Sequence, residues 1–200
     1  EADKQFIIIG NINCVTYKEV FPLLRDNKVW MGCTIHSGDR EFGVPDEYPL
    51  EAAGCRIDEN GKKYIRVKGV RWYTNIDHGR RHNPLSLMSM ADNIKYSKHK
   101  DIQGKKYQHY DNYDAIEIPY TDAIPCDYEN LMGVPVTFLD KYCPEQFDII
   151  WQACGNTRAS APKEILDEVG YTIHPEDRGG CGVVNNKRQY ARILIRKKHL

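Results

Sequence analysis

Two histidines and two arginines fall within five residues of the sequence, in the stretch HGRRH (residues 78–82). His78 and His82 are four residues apart, so on a helix both imidazoles would lie on one face and could bind a metal ion. Arg80 and Arg81 stand between them and would repel a cation, and no second ligand pair with finger-like spacing occurs. The stretch therefore favours a loop that contacts phosphate over a zinc site.

A third arginine, Arg71, lies just upstream in a predicted strand. An arginine can contact a phosphate, or it can recognise guanine through two hydrogen bonds. Most exposed arginines do neither of these things. The residue types alone leave these alternatives open for Arg71, Arg80 and Arg81.

The formal net charge of the 200 residues is zero, but the charges are unevenly distributed. Residues 62–106 hold 12 Lys/Arg and 3 Asp/Glu, a net charge of +9, while residues 107–150 hold 1 Lys/Arg and 9 Asp/Glu, a net charge of −8. A basic stretch of this kind is a candidate contact surface for a polyanion. The alternative is a solvated basic face that is balanced by a neighbouring acidic one.

For two further groups of residues, a structural role is favoured over a ligand-binding one. The glycine-rich residues 179–182 precede a predicted strand, whereas a phosphate cradle needs a helix N-terminus behind it, so a tight turn is expected. Tyrosines at the boundary of the basic and acidic stretches can stack on extruded bases, but more often they cap a core. These aromatic residues are Tyr107, His109, Tyr110, Tyr113 and Tyr120.

The sequence contains seven cysteines at wide spacings and no C-x-x-C motif. An odd number without a disulfide pattern indicates free, buried thiols in a reducing cytoplasm. The sequence has no apolar run of the length that a transmembrane helix requires. Its start, EADKQFIIIG, lacks the basic region of a signal peptide and an initiator methionine, so we expect the chain to be a piece of a longer protein.

The N-terminal residues predict a strand, a helix and a second strand. QFIIIG (residues 5–10) is typical of a strand that is buried on both faces of a parallel sheet. Thr16 and Glu19 form a capping-box pattern for a helix that Pro22 should kink. KVWMGC (residues 28–33) predicts the second strand, and together the three elements predict a parallel unit with a crossover.

Further elements follow from local patterns. Asn60 and Gly61 lie between β-rich flanks and predict a hairpin over residues 55–67. Asn185 and Asn186 predict another hairpin, followed by a final strand. In that strand Ala191, Ile193 and Ile195 alternate with Arg192, Leu194 and Arg196, which places the two arginines on a face away from the core. The remaining predictions are strands at residues 69–77, 113–118 and 147–154, and a helix at residues 162–170.

Four stretches of the sequence, in order and over nearly the whole chain, resemble the C-terminal part of the EcoRI-type adenine-specific DNA methyltransferases. They are FIIIGNINCVTYKEVFPLLRDNKVWMG, GVRWYTNIDHGRRH, YDNYDAIEIPYTDAIPCDYENLMGVPVTFLDKYCPEQFDII and RQYARILIRKK. MGVPVTFLDKY followed by PEQF is the most specific piece. Residues 152–182 are the least similar to the family.

The resemblance implies methyl transfer from S-adenosylmethionine to the exocyclic amino group of adenine in duplex DNA, with the base flipped out of the helix. The family performs this with an Asn-Pro-Pro-aromatic loop and a Phe-x-Gly-x-Gly-type cofactor turn, and both motifs are missing here. Asn83-Pro84-Leu85 lacks the second proline and the aromatic residue. We therefore expect Asn83 to cap a helix with Pro84 in its first position. S-adenosylmethionine should be bound mainly by an upstream part, and this chain alone should be inactive.

The resemblance also implies an α/β fold in two regions. Residues 1–77 are expected to be the C-terminal portion of a Rossmann-like methyltransferase sheet with a hairpin insertion and an antiparallel last strand. Residues 78–200 are expected to form an α+β DNA-recognition region. Asn11 and Asn13, after the first strand, are expected to line the active-site crevice, with turn formation as the alternative. The expected DNA contacts are Arg71, His78, Arg80, Arg81, His82, Arg192 and Arg196.

Two other hypotheses remain beside this restriction-modification enzyme. One is a non-catalytic DNA-binding module or a subunit that needs a partner chain. The other is an interaction domain whose basic stretch is masked by the acidic one, which predicts no salt-dependent binding to DNA. A sheet cut from its partner strands leaves an open edge, so self-association of the isolated chain is also expected.

Overall fold

The computed structural model describes residues 4–36, 38–51 and 54–198, which have a mixed α/β fold with several small sheets and short helices. The strands, in chain order, are β1 (Ile7–Asn11), β2 (Trp30–Met31), β3 (Arg40–Gly43), β4 (Cys55–Ile57), β5 (Lys63–Val67), β6 (Val70–Thr74), β7 (Ala115–Glu117), β8 (Leu131–Pro135), β9 (Phe147–Ala153), β10 (Val183–Val184), β11 (Lys187–Arg188) and β12 (Arg192–Lys197). The α-helices are α1 (Phe21–Arg25), α2 (Met90–Tyr96), α3 (Thr157–Ser160) and α4 (Lys163–Glu168). Short 3-10 helices span Ile12–Thr16, Gly79–His82, Thr121–Ala123 and Val136–Lys141.

The first sheet has the strand order β1-β6-β2. β6 is antiparallel to both neighbours, with Ile9 opposite Trp72 and Met31 opposite Tyr73. β1 and β2 therefore run in the same direction, as the strand-helix-strand pattern predicts, but β6 lies between them. The resemblance predicted that the last of these strands in chain order, β6, is antiparallel, and this orientation is confirmed.

The prediction that β1 is buried on both faces is wrong. Ile7, Ile8 and Ile9 are 62%, 54% and 49% exposed. β1 is an edge strand of its sheet, so in the part of the chain that the structure describes one side of its backbone has no neighbouring strand. An isoleucine-rich run indicates a strand, but it does not say how many partners that strand has.

Two helix predictions also need correction. Pro22 does not kink a helix, because α1 begins at Phe21 and Pro22 lies in its first turn, where a missing N–H costs no hydrogen bond. Asn83 does not cap the N-terminus of a helix. It follows the 3-10 helix Gly79–His82, and α2 begins at Met90, where the Ser89 side chain caps it by accepting a hydrogen bond from the backbone N–H of Asp92.

Both predicted hairpins are present. β4 pairs with β5 across a turn in which Gly61 has a positive φ of 81°, and β3 adds a third strand to this sheet. β10 pairs with β11 across Asn185 and Asn186, with φ values of 51° and 59°. Asparagine and glycine tolerate this left-handed conformation, so the local sequence determines the position of both turns.

The largest sheet has the strand order β7-β8-β12-β9, with β7 and β8 parallel and the other pairs antiparallel. The predicted division of β12 into a core face and an outer face is wrong. Ile193, Leu194 and Ile195 are all fully buried. Ile193 and Ile195 belong to the main core and Leu194 belongs to a second core, so hydrophobic clusters cover both faces of this central strand.

The main core contains residues from both sides of the predicted domain boundary at residue 77. Val15 and Phe21 pack in the same cluster as Phe138 and Trp151, and the rings of Phe21 and Trp151 meet edge to face at a centroid distance of 5.3 Å. The boundary itself stays a prediction. The first sheet and the largest sheet nevertheless share one continuous apolar interior.

Candidate functional site

The HGRRH stretch forms the 3-10 helix Gly79–His82 just beyond the end of β6, with His78 in its N-cap position. The loop is fixed to the segment after β2 by two hydrogen bonds. Nε2 of His78 lies 2.9 Å from the Met31 carbonyl oxygen, and Nη1 of Arg80 donates to the Cys33 carbonyl oxygen at 3.0 Å. Arg80 is exposed, so its guanidinium can reach a ligand while it keeps this contact.

Arg81 has a different environment from its neighbour. Its guanidinium stacks over the Trp30 ring at 3.8 Å from the ring centroid, and Nη2 donates to Oδ1 of Asn27 at 2.9 Å. Its side chain is 11% exposed. These contacts place most of Arg81 against β2 rather than in solvent.

His82 connects two segments of the chain. Its Nδ1 lies 2.8 Å from Oε1 of Glu145, and its Nε2 lies 3.0 Å from both carboxylate oxygens of Asp77. The hydrogen bonds to Glu145 and then to Asp77 raise the pKa of His82 above its usual 6.5. The same contacts lower the pKa values of Asp77 and Glu145.

This histidine bridge predicts a pH-dependent contribution to stability. A raised histidine pKa stabilises the fold fully below pH 6.5, and this effect is lost as the pH rises through the pKa of the folded state. The lowered carboxyl pKa values stabilise the fold above pH 3.8 for Asp77 and above pH 4.5 for Glu145, and this effect is lost in acid. The melting temperatures of the wild type and His82→Gln should therefore differ most between pH 4.5 and pH 6.5, where both conditions hold. A difference that is constant from pH 5 to pH 9 would contradict the bridge.

Arg71 lies inside the protein. It is 5% exposed, and its Nε and Nη2 donate to the two carboxylate oxygens of Asp140 at 2.8 and 3.0 Å. Nη2 also donates to the carbonyl oxygen of His36 at 2.8 Å. The guanidinium is thus surrounded by acceptors from the protein, and this geometry does not place Arg71 on a surface that meets a ligand.

The two arginines of β12 are in contrasting environments. Arg192 forms an ion pair with Glu117, with Nη2 to Oε1 at 2.6 Å, and both side chains are about one-tenth exposed. This burial corrects the expectation that Arg192 lies on a face away from the core. Arg196 is more exposed and pairs with Glu168 at 3.2 Å near the surface.

Asn11 forms the turn at the end of β1. Its Oδ1 accepts from the backbone N–H of Asn13, and its Nδ2 donates to the carbonyl oxygen of Lys68. Both polar ends of Asn11 are therefore engaged in the turn, while Asn13 is exposed. Asn11 also lines an open groove of about 530 Å³, together with Tyr48, Arg66, Lys68 and others.

Exposed lysines cluster around and after α2. Lys98 pairs with Asp122, whose second oxygen accepts from His99 at 2.8 Å. The His99 ring in turn stacks on Tyr120 at a centroid distance of 3.7 Å. The exposed lysines of this segment, which we call the α2 lysine cluster, are Lys95, Lys98, Lys100, Lys105 and Lys106.

Most of the other candidate groups pack within the protein. Tyr110 and Tyr113 are buried in the second core, as the favoured explanation predicts. All seven cysteines are free thiols, but only Cys143 and Cys154 are buried and Cys33 is exposed, so the expectation that the thiols are buried is wrong for the other five. In the glycine-rich turn, a Cβ on Gly180 would collide with Thr157 and one on Gly182 with the Tyr110 ring. That turn is filled by protein and leaves no cradle for a ligand.

The candidate site presents positive charge from the basic segment of the chain. Arg80 and the α2 lysine cluster are exposed cations, of which Lys98 pairs with Asp122 and Lys105 lies 3.9 Å from Asp101. The side chains of Arg71, Arg81 and Arg192 are instead largely buried. Among residues 4–36, 38–51 and 54–198 no group of three or more His, Cys, Asp and Glu side chains is placed to bind a metal ion. Within the same residues no helix is long and apolar enough to cross a membrane.

Sequence reasoning missed the acidic partners of the buried arginines. Asp140 lies 69 residues from Arg71, and no local pattern connects them. Glu117 carried a signal, because it lies in the apolar stretch YDAIEI, and an ionisable residue inside an apolar strand usually has a buried partner.

Comparisons with known proteins match the chain over almost its full length. A profile of the family described as "Adenine-specific methyltransferase EcoRI" matches residues 1–198. The Type II methyltransferase M.EcoRI of Escherichia coli is 40% identical over 198 residues, which is 99% of this chain and 52% of that protein. The Type II methyltransferase M.MgeORF184P of Mycoplasma genitalium is 32% identical over 204 residues, 100% of this chain and 59% of that protein.

A third relative, the Type II methyltransferase M.MpnI of Mycoplasma pneumoniae, is 27% identical over 201 residues, 99% of this chain and 58% of that protein. The chain thus spans between half and three-fifths of the length of the curated relatives it matches. No solved structure matches it. The extent of these matches shows that the chain belongs to the EcoRI family of adenine-specific methyltransferases.

Proposed function

We propose that the protein transfers a methyl group from S-adenosylmethionine to the exocyclic amino group of adenine in duplex DNA. The observation that carries this proposal is the family match across residues 1–198. Within the protein, this chain supplies DNA contacts and part of the supporting sheet. The sheet β1-β6-β2 is the C-terminal portion of a Rossmann-like methyltransferase sheet, which is supported by two strands of the same direction, the connecting helix α1 and an antiparallel last strand.

The family's Phe-x-Gly-x-Gly-type cofactor turn does not occur in this sequence. The glycine-rich turn at residues 179–182 does not fit S-adenosylmethionine, because Gly179 and Gly180 pack against the backbone of Gly155 and Cys154. We therefore assign the cofactor to the part of the relatives' length that this chain does not span. On its own the chain is expected to be inactive.

The proposed DNA surface combines the exposed cations. Arg80 and the α2 lysine cluster can neutralise phosphates, and each neutralised phosphate releases a counterion, so affinity depends steeply on salt. Each of the other basic residues expected near this surface already has a protein contact: Arg196 with Glu168, His78 with Met31, His82 with Glu145 and Arg81 with Trp30. Asn11 borders a groove at the carboxyl end of β1, and the exposed Asn13 follows it in the chain. We propose this end of β1 as part of the active-site crevice.

The test separates catalysis from binding. The 200-residue chain and the product of the complete gene are each incubated with tritiated S-adenosylmethionine and duplex DNA. Label should enter adenine only with the complete product, while both proteins should bind DNA less tightly as salt rises. A complete product that binds DNA without transfer would favour the alternative, a DNA-binding module or subunit that needs a partner chain. Affinity that does not change with salt would contradict both.

We also propose that the isolated chain self-associates through β1. Its exposed isoleucines lie on an edge strand, and an apolar unpaired edge can pair with the same strand of a second copy. Light scattering should show an average mass that rises with concentration, and Ile8→Lys should restore the monomer. Ile173→Lys is the control, because Ile173 is 74% exposed but lies outside the strands. A wild-type monomer at high concentration would contradict this proposal.

A further inference from the structure

The loop after β2 has a strained backbone at Ile35, which lies in the left-handed region with a φ of 60°. A β-branched residue rarely adopts this conformation, and it persists there only when surrounding contacts impose it. The other non-glycine residues with positive φ in the described part of the chain are asparagines and one arginine. Contacts from outside residues 33–36 must therefore hold this loop in shape.

The buried pair of Arg71 and Asp140 supplies those contacts. Nη2 of Arg71 donates to the carbonyl oxygen of His36 at 2.8 Å, while Nε and Nη2 are fixed by the Asp140 carboxylate. Nδ1 of His36 lies 3.7 Å from Oδ1 of Asp140. The end of the loop is thus bound through its backbone to a guanidinium that cannot move without losing its own partner.

The same loop also binds the exposed Arg80. The carbonyl oxygen of Cys33 accepts from Nη1 of Arg80 at 3.0 Å and lies 2.9 Å from Nε2 of His36. An uninterrupted series of contacts therefore runs from Asp140 through Arg71, His36 and Cys33 to Arg80. It begins in the interior and ends at a solvent-exposed cation.

We infer that Arg71 and Asp140 are positioning residues, which fix the loop at residues 33–36 and through it the place of the Arg80 guanidinium on DNA. This inference rests on the proposed function, in which Arg80 contacts a phosphate. A buried ion pair is seldom more stable than packed apolar residues, whereas it does specify one geometry. The role of this pair is to present Arg80 in a fixed orientation, so that less side-chain freedom is lost when DNA binds.

The experiment uses the product of the complete gene and four variants. Asp140→Asn weakens the proposed positioning pair, Arg80→Ala removes the proposed phosphate contact, and the double variant combines them. Asp177→Asn is the matched control, because Asp177 is also a buried carboxylate paired with an arginine, Arg158, but its hydrogen bonds go to residues 158–179. Backbone ¹⁵N NMR order parameters of residues 33–36 are measured without DNA, and the Kd for duplex DNA is measured at several salt concentrations.

The inference makes a separate expectation for each measurement. Asp140→Asn should lower the order parameters of residues 33–36 to below about 0.6, and Asp177→Asn should leave them unchanged. Arg80→Ala should reduce the slope of log K against log salt by about 1, and Asp140→Asn should approach the same loss. The double variant should bind no more weakly than Arg80→Ala, because the positioning pair acts through Arg80.

Two outcomes overturn the inference and a third overturns its basis. Unchanged order parameters in Asp140→Asn mean that the pair does not hold the loop, and additive losses of affinity mean that it does not act through Arg80. Wild-type affinity that is independent of salt overturns the proposed function itself, whatever the order parameters show. If Asp140→Asn does not fold, His36→Ala replaces it, because the contact of His36 Nε2 with the Cys33 carbonyl oxygen belongs to the same series and the same expectations apply.

Discussion

Replacement of Arg192 by alanine is expected to lower the free energy of unfolding by about 3–5 kcal/mol. Arg192 and Glu117 form a buried ion pair in the largest sheet, with both side chains about one-tenth exposed. The Tyr110 hydroxyl donates to the second carboxylate oxygen of Glu117. Without Arg192, the Glu117 charge stays buried and loses its main partner, and this uncompensated charge is the source of the expected cost.

Arg196→Ala is the matched control for this prediction, since both arginines belong to β12. Arg196 pairs with Glu168, and both side chains are 40% exposed, so its removal should cost no more than about 1 kcal/mol. The measurement is urea unfolding of the two variants and the wild type at neutral pH. A cost below about 1 kcal/mol for Arg192→Ala would show that the Glu117 carboxyl is easily resolvated or protonated, and would contradict the structural role assigned to the pair.

A companion variant distinguishes the loss of the pair from the loss of packing. In Glu117→Gln with Arg192→Met, both charges are replaced by neutral side chains of similar size. Such replacements of buried ion pairs are often nearly neutral in stability. The double variant should therefore be clearly more stable than Arg192→Ala, and equal destabilisation of the two would mean that packing, not charge, accounts for the effect.

Local features of this fold could be predicted from the sequence because short-range chemistry determines them. Asn60-Gly61 and Asn185-Asn186 mark turns, since these residues tolerate positive φ, and both hairpins occur where they were expected. The strands β6, β7 and β9 follow from apolar and β-branched runs. Family resemblance added the antiparallel orientation of β6, which no local pattern contains.

Long-range features could not be predicted in the same way. The run of three isoleucines in β1 indicated a buried strand, but burial depends on neighbours that the run does not specify. Arg71 and Arg192 had the residue type and the basic context of DNA contacts, yet Asp140 and Glu117 reach them from 69 and 75 residues away. The sequence therefore identified a basic segment, but it did not separate the buried arginines Arg71 and Arg192 from the exposed Arg80.

The second large effect is expected for Phe138→Ala, which should lower the free energy of unfolding by about 3–5 kcal/mol. Phe138 is fully buried, and its ring lies 5.5 Å from that of Phe147 in an edge-to-face arrangement and 5.8 Å from that of Tyr142. Its cluster also contains Val15 and Phe21 from the first 77 residues. Truncation leaves a cavity at the junction of the two predicted regions, and rigid neighbours on both sides limit its collapse.

The shared core determines what the unfolding curve should look like. If residues 1–77 and 78–200 were separate domains, Phe138→Ala would destabilise the second and leave the first nearly unchanged, and two transitions would appear. Because Phe138, Phe21 and Trp151 pack in one cluster, we expect a single transition that shifts as a whole. Tryptophan fluorescence comes from Trp30 and Trp72 in the first region and from Trp151 in the second, and far-UV circular dichroism reports on the whole chain. Coincident curves support one cooperative unit, separated curves support the boundary at residue 77, and Tyr190→Ala, at an 89% exposed position, should shift neither.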